Sequence, residues 1–277
     1  MLVFHSHCQM GNQMFIYACA RSLSARLNIP YALSDLHHLR FFELSAGERN
    51  RNRFRYQRFR LFNRIPGLGY RFHHFQDNRT DYSNSMLKLQ GAHHWFYGYF
   101  QGERYFFGRE EDIAACFSIK RTYKELFGKA IDRLGIVKPL LTVHIRLKDY
   151  RTFGPDYLGG PDLSLPWSYY HKLLDRYDLN RYQVVFLSDE PDAIAKVFGD
   201  VPGAIFSKED PIVDFQFIQH AHVCINAHST FSWWAAWLNK VPGKKVHVPR
   251  NFLGFKVGQT YPVHIVPDAW FEEEVAL

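Results

Sequence analysis

The second half of this sequence predicts an α/β fold on an open, parallel, doubly wound sheet, and three observations predict it. Short apolar runs suited to strands buried on both faces alternate with helix-length segments. Polar residues recur where those runs stop. The chain also opens in strand, glycine turn, helix, strand order, so the first half begins in the same way.

Taken in order, Leu2-Val3-Phe4 reads as a strand. Cys8-Gln9-Met10-Gly11-Asn12-Gln13 reads as a turn, where Gly11 allows a sharp bend or the close approach of a ligand. Residues 14–28 follow as an amphipathic helix and Tyr31–Leu33 as a second strand. Over residues 35–105 the alternation is lost and arginines crowd in. Arg49, Arg51, Arg53, Arg55, Arg58, Arg60 and Arg64 are interleaved with Phe54, Tyr56, Phe59, Leu61 and Phe62. Such spacing suits single-stranded nucleic acid. No RNA-binding signature accompanies it, however, and Arg55, Phe59 and Phe62 fit a helix with one basic and one aromatic face. We favour a helix packed on its own domain with snorkelling arginines, expect no nucleic-acid partner, and leave a membrane-surface role open for this basic aromatic segment. Helices are expected near residues 109–117 and 121–134.

Gly135-Ile136-Val137-Lys138-Pro139 reads as a boundary, giving domains of residues 1–136 and 137–277. Beyond it the pattern is strict. Leu140–Ile145 is a buried strand ending at Arg146, residues 166–177 a helix, residues 184–187 a strand ending at Ser188-Asp189, and residues 191–198 a helix with proline in its first turn. Strands at 204–206, 223–225 and 246–248 alternate with helices at 212–220 and 231–238. In a sheet of this kind ligands bind off the carboxyl ends of the strands. Those ends hold Arg146, Asp149, Ser188, Asp189, Asn226, His228, Ser229, Thr230 and Arg250.

Composition narrows the chemistry. At 277 residues, 47% of them apolar and 17% aromatic, the chain can bury a large core. No run of eighteen apolar residues exists, and the first residues lack the basic and apolar regions of a secretion signal, so a cytoplasmic protein is expected, or one lying peripherally at the inner face of the membrane. Cys8, Cys19, Cys116 and Cys224 form no C-x-x-C pair and read as reduced, buried thiols. His5 with His7, and the doublets His37-His38, His73-His74 and His93-His94, lack partners at zinc-like spacing, so no metal site is expected. The net charge of +7 favours anionic ligands without choosing among nucleic acid, membrane and phosphate.

The stretch of residues 222–239 chooses a direction. Val223-Cys224-Ile225 is a buried strand, Ser229 or Thr230 an N-cap, and Phe231, Trp233, Trp234, Trp237 and Leu238 recur at helical spacing. Strand, tight turn and helix start make an anion site, although the same residues also suit an ordinary capped core helix. Arg146 adds a fixed guanidinium at a neighbouring strand end, and Asp189 a carboxylate able to read the donor edge of a base or ribose. No P-loop, G-x-G-x-x-G or D-x-D sequence is present. A departing diphosphate would therefore be steadied by a cationic side chain.

Four motifs carry a resemblance. Gly11-Asn12-Gln13-Met14-Phe15-x-Tyr17-Ala18, Val143-His144-Ile145-Arg146 with Asp149-Tyr150, Phe186-x-Ser188-Asp189, and Asn226-x-x-Ser229-Thr230-Phe231-Ser232-Trp233-Trp234-x-Ala236-Trp237-Leu238 resemble, in order, the alpha-1,2-fucosyltransferases of glycosyltransferase family 11. The resemblance implies a GT-B architecture, two Rossmann-like domains facing across a cleft, with an acceptor-side first domain and a donor-binding second one. It implies metal-independent, inverting transfer of L-fucose from GDP-fucose to a glycan acceptor, usually the 2-hydroxyl of a galactose, with no cofactor. Arg146 would hold the diphosphate as a catalytic residue. Ser229, Thr230 and Phe231 would line the donor pocket with Ser188 and Asn226, His144 and Asp189 would lie near the guanine, and Gly11, Asn12 and Gln13 would close over the donor. Asp149 is the nearest matching carboxylate for a general base, with Asp156 and Asp162 in the following glycine-rich loop as alternatives.

The chain departs from the family pattern twice. Leu147-Lys148 stands where H-x-R-R-G-D-Y has arginine and glycine, and Cys8-Gln9-Met10 precedes Gly11 where G-G-x-G-N-Q is usual. These changes leave room for another acceptor or another GDP-sugar, or for a GDP-sugar-binding protein without catalysis. A nucleic-acid-binding protein using residues 49–64 is the remaining alternative.

Overall fold

The computed structural model describes residues 1–45, 47–65, 69–75, 79–91 and 93–277. The chain forms two compact units, one of Met1–Lys120 with Pro262–Ile265, the other of Arg121–Tyr261 with Val266–Leu277.

The first unit holds β1 (Leu2–Phe4), α1 (Met10–Leu27), β2 (Tyr31–Leu33), α2 (Glu48–Phe62), β3 (Arg71–Phe75), α3 (Ser83–Leu87), β4 (His94–Gly98) and α4 (Glu110–Cys116). Its four strands are parallel in the order β2-β1-β4-β3. The alternation that the sequence loses after residue 35 therefore continues. β3 and β4 escape a reading based on aliphatic runs because they are Arg-Phe-His-His-Phe and His-Trp-Phe-Tyr-Gly. Their rings pack as aliphatic chains would: Phe4 stacks on Phe96 at 4.6 Å and Phe96 on His73 at 5.1 Å.

α1 starts at Met10, four residues before the position expected, so Gly11 lies in its first turn. The chain reverses at Cys8, whose φ of 61° is left-handed, and this exposed position also corrects the expectation that every cysteine is buried. Nor is α1 clearly two-faced, since Met14 through Ala20 are all buried. α2 lies on the outer edge of β2. Asn52 exchanges both bonds of its amide with Leu33, accepting from its N–H at 2.7 Å and donating to its carbonyl at 3.0 Å, and Arg55 donates to the Tyr31 carbonyl. Side chains thus satisfy an edge that would otherwise offer itself to another strand. The aromatic face expected of α2 is divided: Phe59 is buried against Tyr70 and Trp95, while Phe54 and Phe62 face outward.

The second unit holds α5 (Arg121–Arg133), β5 (Leu140–Ile145), α6 (Trp167–Leu174), β6 (Gln183–Ser188), α7 (Pro191–Phe198), β7 (Ile205–Phe206), α8 (Pro211–Gln219), β8 (Val223–Asn226), α9 (Thr230–Trp237), β9 (Lys245–Pro249) and β10 (Phe271–Glu273). α5 falls on this side of the division, ahead of the Gly135–Pro139 punctuation. The six strands are parallel in the order β10-β9-β8-β5-β6-β7. From β5 the chain winds out through β6 and β7, then returns to the other side for β8, β9 and β10. This is the doubly wound order, with its switch point between β5 and β8.

Every residue of β5 is buried, as a strand covered on both faces requires. Val143, Ile145, Phe186 and Ile225 join Tyr170, Leu173, Ile194 and Phe198 from α6 and α7 in one core. On the alternate positions of the sheet, His144 stacks on Phe231 of α9, and Phe231 in turn meets Phe215 of α8. Among the described residues no helix is long and apolar enough to cross a membrane.

Candidate functional site at the ends of β5, β6 and β8

Parallel register sets this site. His144 is paired with Asn226 and Ile145 with Ser188, so the residues that leave β5, β6 and β8 emerge side by side. Arg146 follows β5 directly. Its Nε donates to Asp149 Oδ1 at 2.8 Å, and its Nη1 stands 3.2 Å from Asp189 Oδ2. Burial works against the guanidinium charge, but the hydrogen bond to Asp149 and the charge of Asp189 outweigh it and hold the group above its ordinary range. The two carboxylates are not equivalent. The Asp189 side chain is 12% exposed and also accepts the Leu147 N–H at 3.0 Å, whereas that of Asp149 is 55% exposed. Asp189 is thus built into the frame, and Asp149 is the partner that can be exchanged at low cost.

The β8 side supplies backbone donors. Ser229 has extended φ and ψ, and its Oγ accepts the Phe231 N–H at 3.3 Å, which makes it the N-cap expected from sequence. The other N–H groups of the first turn have no carbonyl four residues earlier in the helix, and they carry the positive end of the helix dipole. Thr230 opens α9 beside them. Ser232 Oγ turns back to the Ala227 and Ser229 carbonyls, tightening the turn.

Behind these groups lie buried polar atoms. His144 Nδ1 and Asn226 Oδ1 have no hydrogen-bond partner among the described residues, although both residues are almost fully buried. Groups of this kind are rare in proteins and ask for an explanation. Burial, with Arg146 and His228 nearby, lowers the His144 pKa to about 3, so its imidazole is neutral at neutral pH. Ser188 is used locally: its Oγ accepts the Glu190 N–H at 3.1 Å and lies 3.4 Å from Asp189.

Two residues to which the sequence assigned no role complete the arrangement. Tyr150 donates its hydroxyl to the His228 carbonyl at 2.9 Å and stacks on the His228 ring at 4.9 Å, tying the β5 exit to the β8–α9 turn. The Asp-Tyr pair of the second motif is the signal that could have found it.

The departures from the family pattern acquire structural meaning. Leu147 is 2% exposed and belongs to the apolar core with Leu158, Leu163 and Tyr170. An arginine there would be buried, so the second charge is absent from that place. Lys148 is exposed. The glycine-rich loop of residues 151–165 is packed. Leu158 and Leu163 are buried, the Leu163 N–H donates to the Tyr150 carbonyl, and a Cβ on Gly154 would lie 2.0 Å from the Gly160 carbonyl oxygen. Asp162 Oδ1 accepts the Ser164 N–H at 3.1 Å, a local turn bond. Asp156 is exposed.

The glycine motif stands in the first unit, at the carboxyl end of its own sheet. Gln13 Nε2 donates to the Cys8 carbonyl at 3.3 Å and Gln101 Nε2 to Asn12 Oδ1 at 2.7 Å, so both side chains brace the turn around Gly11. Next to them His7 lies flat on Tyr97, centroids 4.6 Å apart and planes 1° apart, and His5 stacks on the same ring at 5.1 Å. Burial lowers the pKa of both histidines.

Comparison with known proteins bears on the family and the fold. The profile of glycosyl transferase family 11 matches residues 3–251. The O-antigen biosynthesis glycosyltransferase WbnK of Escherichia coli is 26% identical, over 88% of this chain and 92% of its own length. An alpha-1,2-colitosyltransferase of Escherichia coli is also 26% identical, over 96% of this chain and 90% of its own. Among solved structures, POFUT1 in complex with GDP-fucose superposes with a TM-score of 0.55 at 12% identity, covering 89% of this chain and 97% of that one. NodZ alpha-1,6-fucosyltransferase soaked with GDP-fucose superposes with a TM-score of 0.53 at 10% identity, covering 88% and 96%. Those two likenesses are of fold, and the fold they share is GT-B-like, two parallel α/β sheets in one chain. Since the family profile runs from the first strand to the end of β9, the chain belongs to glycosyl transferase family 11 and is a glycosyltransferase.

Proposed function

We propose that this glycosyltransferase transfers L-fucose from GDP-fucose to a glycan hydroxyl, most simply the 2-hydroxyl of a galactose, with inversion and without a metal ion. The observation that carries the reading is the convergence of Arg146 with the first turn of α9 at the switch point between β5 and β8. A guanidinium and a set of aligned N–H groups match the oxygens of a diphosphate. The POFUT1 structure in complex with GDP-fucose and the NodZ structure soaked with GDP-fucose support the donor.

Asp149 has two parts in this reading. In the free protein it neutralises Arg146, and an arriving diphosphate competes for the same Nε. Released from the guanidinium, the carboxylate becomes available as a general base for the acceptor hydroxyl. His144 and Asn226, with buried atoms still able to bond, are the candidates to meet polar atoms of the donor. Asp189 serves the donor through Arg146, because its own oxygens are held by Leu147 and Arg146. Negative charge growing on the departing diphosphate would be met by Arg146 in a site already organised for it.

A second donor sugar is favoured by a specific observation, the relative named for colitosyl transfer. One experiment tests both readings. The pure protein is incubated with GDP-fucose and a small glycan panel in excess EDTA, and mass gain and free GDP are measured. Transfer supports the proposal. GDP binding without transfer from GDP-fucose points to another sugar or acceptor. UDP bound as tightly as GDP, where a tenfold difference of about 1.4 kcal/mol is expected, would sink the donor assignment.

A further inference from the structure

The arginine-rich segment is the part of the sequence that glycosyl transfer leaves unused. Eight arginines and no acidic residue lie between Arg49 and Arg71, so this segment alone outweighs the net +7 of the chain and leaves the remainder close to neutral. The high pI is therefore the property of one segment.

α2 displays part of that segment in a definite order. Its inner side is committed to the fold, through Asn52 and Arg55 on the β2 edge and Phe59 against Trp95. The outer pole is apolar: Phe54 is 60% exposed and Leu61 63%, and their spacing of seven residues sets them on one line two turns apart. Arg58 lies on one flank of that line, its guanidinium 5.8 Å from the rings of both Phe54 and Phe62. Arg53 and Arg60 lie exposed on the other flank.

An apolar line between two basic flanks fits one kind of partner well. A helix lying in the interface of a bilayer buries its apolar line at the level of the headgroups and acyl chains while its cations meet lipid phosphates. Single-stranded nucleic acid would be served by rings in a basic groove, and Leu61, one of the two residues of the line, has no π-face to offer a base.

We propose that α2 is a membrane-surface anchor, which seats Phe54 and Leu61 in the headgroup layer of an anionic bilayer with the flanking arginines on lipid phosphates. Each arginine at an anionic surface changes partition about fivefold.

The test is co-sedimentation of the full chain with vesicles of phosphatidylcholine alone and of phosphatidylcholine mixed with phosphatidylglycerol. No GDP-sugar is present, so the outcome is independent of the transfer reaction. Binding to the mixed vesicles only, weakened by salt, is expected. Phe54→Glu with Leu61→Glu should abolish it, and Arg58→Ala with Arg60→Ala should weaken it about thirtyfold. All four side chains are exposed, and circular dichroism checks that each variant is folded. The proposal is overturned by absence of binding to the mixed vesicles, by binding that survives Phe54→Glu with Leu61→Glu, or by a chain that ignores vesicles and binds a single-stranded RNA oligonucleotide through the same arginines.

Discussion

The two sheets of this chain are both parallel, and in each the first strand lies inside the sheet with later strands on both sides, yet their carboxyl ends carry different chemistry. Off β5, β6 and β8 stand a guanidinium, two carboxylates and a helix N-terminus. Off β1 and β4 stand the stacked rings of His5, His7 and Tyr97, with Asn12, Gln13 and Gln101 beside them and no ion pair among them. Similar winding provides similar crevices, and the residues that leave the strands decide what each can take. Charge and aligned N–H groups suit phosphates. Flat, uncharged rings suit the apolar face of a sugar.

The contrast would break first at Arg146. Arg146→Ala is expected to lower kcat by about 10² to 10³, the scale of losing one preorganised donor to a developing anion. Arg146→Lys should recover little, since a point charge does not reproduce the planar fork. Steady-state kinetics on folded variants checks both, and a near-parental rate for Arg146→Ala would leave the family fold without this mechanism. Lys148→Ala sharpens the result. Because Lys148 is exposed and Leu147 fills the place of the second charge, only a modest loss is expected.

Acid should act on the second unit next. Burial sets the pKa of His144 and of His228 in the second unit at about 3, against an ordinary 6.5. The unfolded chain takes up these protons first, so their contribution is intact above about pH 6.5 and is lost as pH falls from there toward 3. Asp214 acts in the opposite sense. Burial raises its pKa to about 7, so the folded state keeps a proton that the unfolded state has released, which favours folding as pH falls from 7 toward 3.8. Asp214→Asn should therefore steepen the acid loss. Denaturant titrations between pH 7 and pH 4 read the slope, and a shallower slope would reverse the sign given to Asp214.

Smaller effects test the cap and the shelf of rings. Ser229→Ala with Thr230→Ala should cost about 0.5 to 2 kcal/mol in folding, the usual range for a lost cap. GDP affinity should fall in addition. A lower unfolding midpoint with unchanged affinity per folded molecule would leave an ordinary capped helix. His7→Ala is expected to raise the acceptor KM while leaving GDP affinity in place, as calorimetry and kinetics together can show. Weakened GDP binding instead would erase the distinction between the two crevices.

The legibility of the sequence follows the same division. β5, β6 and β8 could be read because Leu140–Ile145, Val184 through Leu187 and Val223 through Ile225 are nearly continuous apolar runs that end at Arg146, Asp189 and Asn226. β3 and β4 could not, because histidines and aromatic rings do the packing there. Gly11 drew attention to itself as a turn residue, whereas the left-handed residue is Cys8, a type that rarely takes that conformation. The pairing of Arg146 with Asp189 spans 43 residues of sequence and depends on β5 and β6 being neighbours, which no local pattern states. Phe54 and Phe62 belong to the same helical pattern as buried Phe59, and only the placement of α2 on the β2 edge decides which rings face inward.

Hydrogen–deuterium exchange with and without GDP, in EDTA, tests the donor assignment most directly. Protection across residues 144–150 and 226–233, diminished in Arg146→Ala and much weaker with UDP, is the expected result. GDP that binds without protecting either segment, or protects only segments of the first unit, would contradict a donor site built on Arg146 and the first turn of α9.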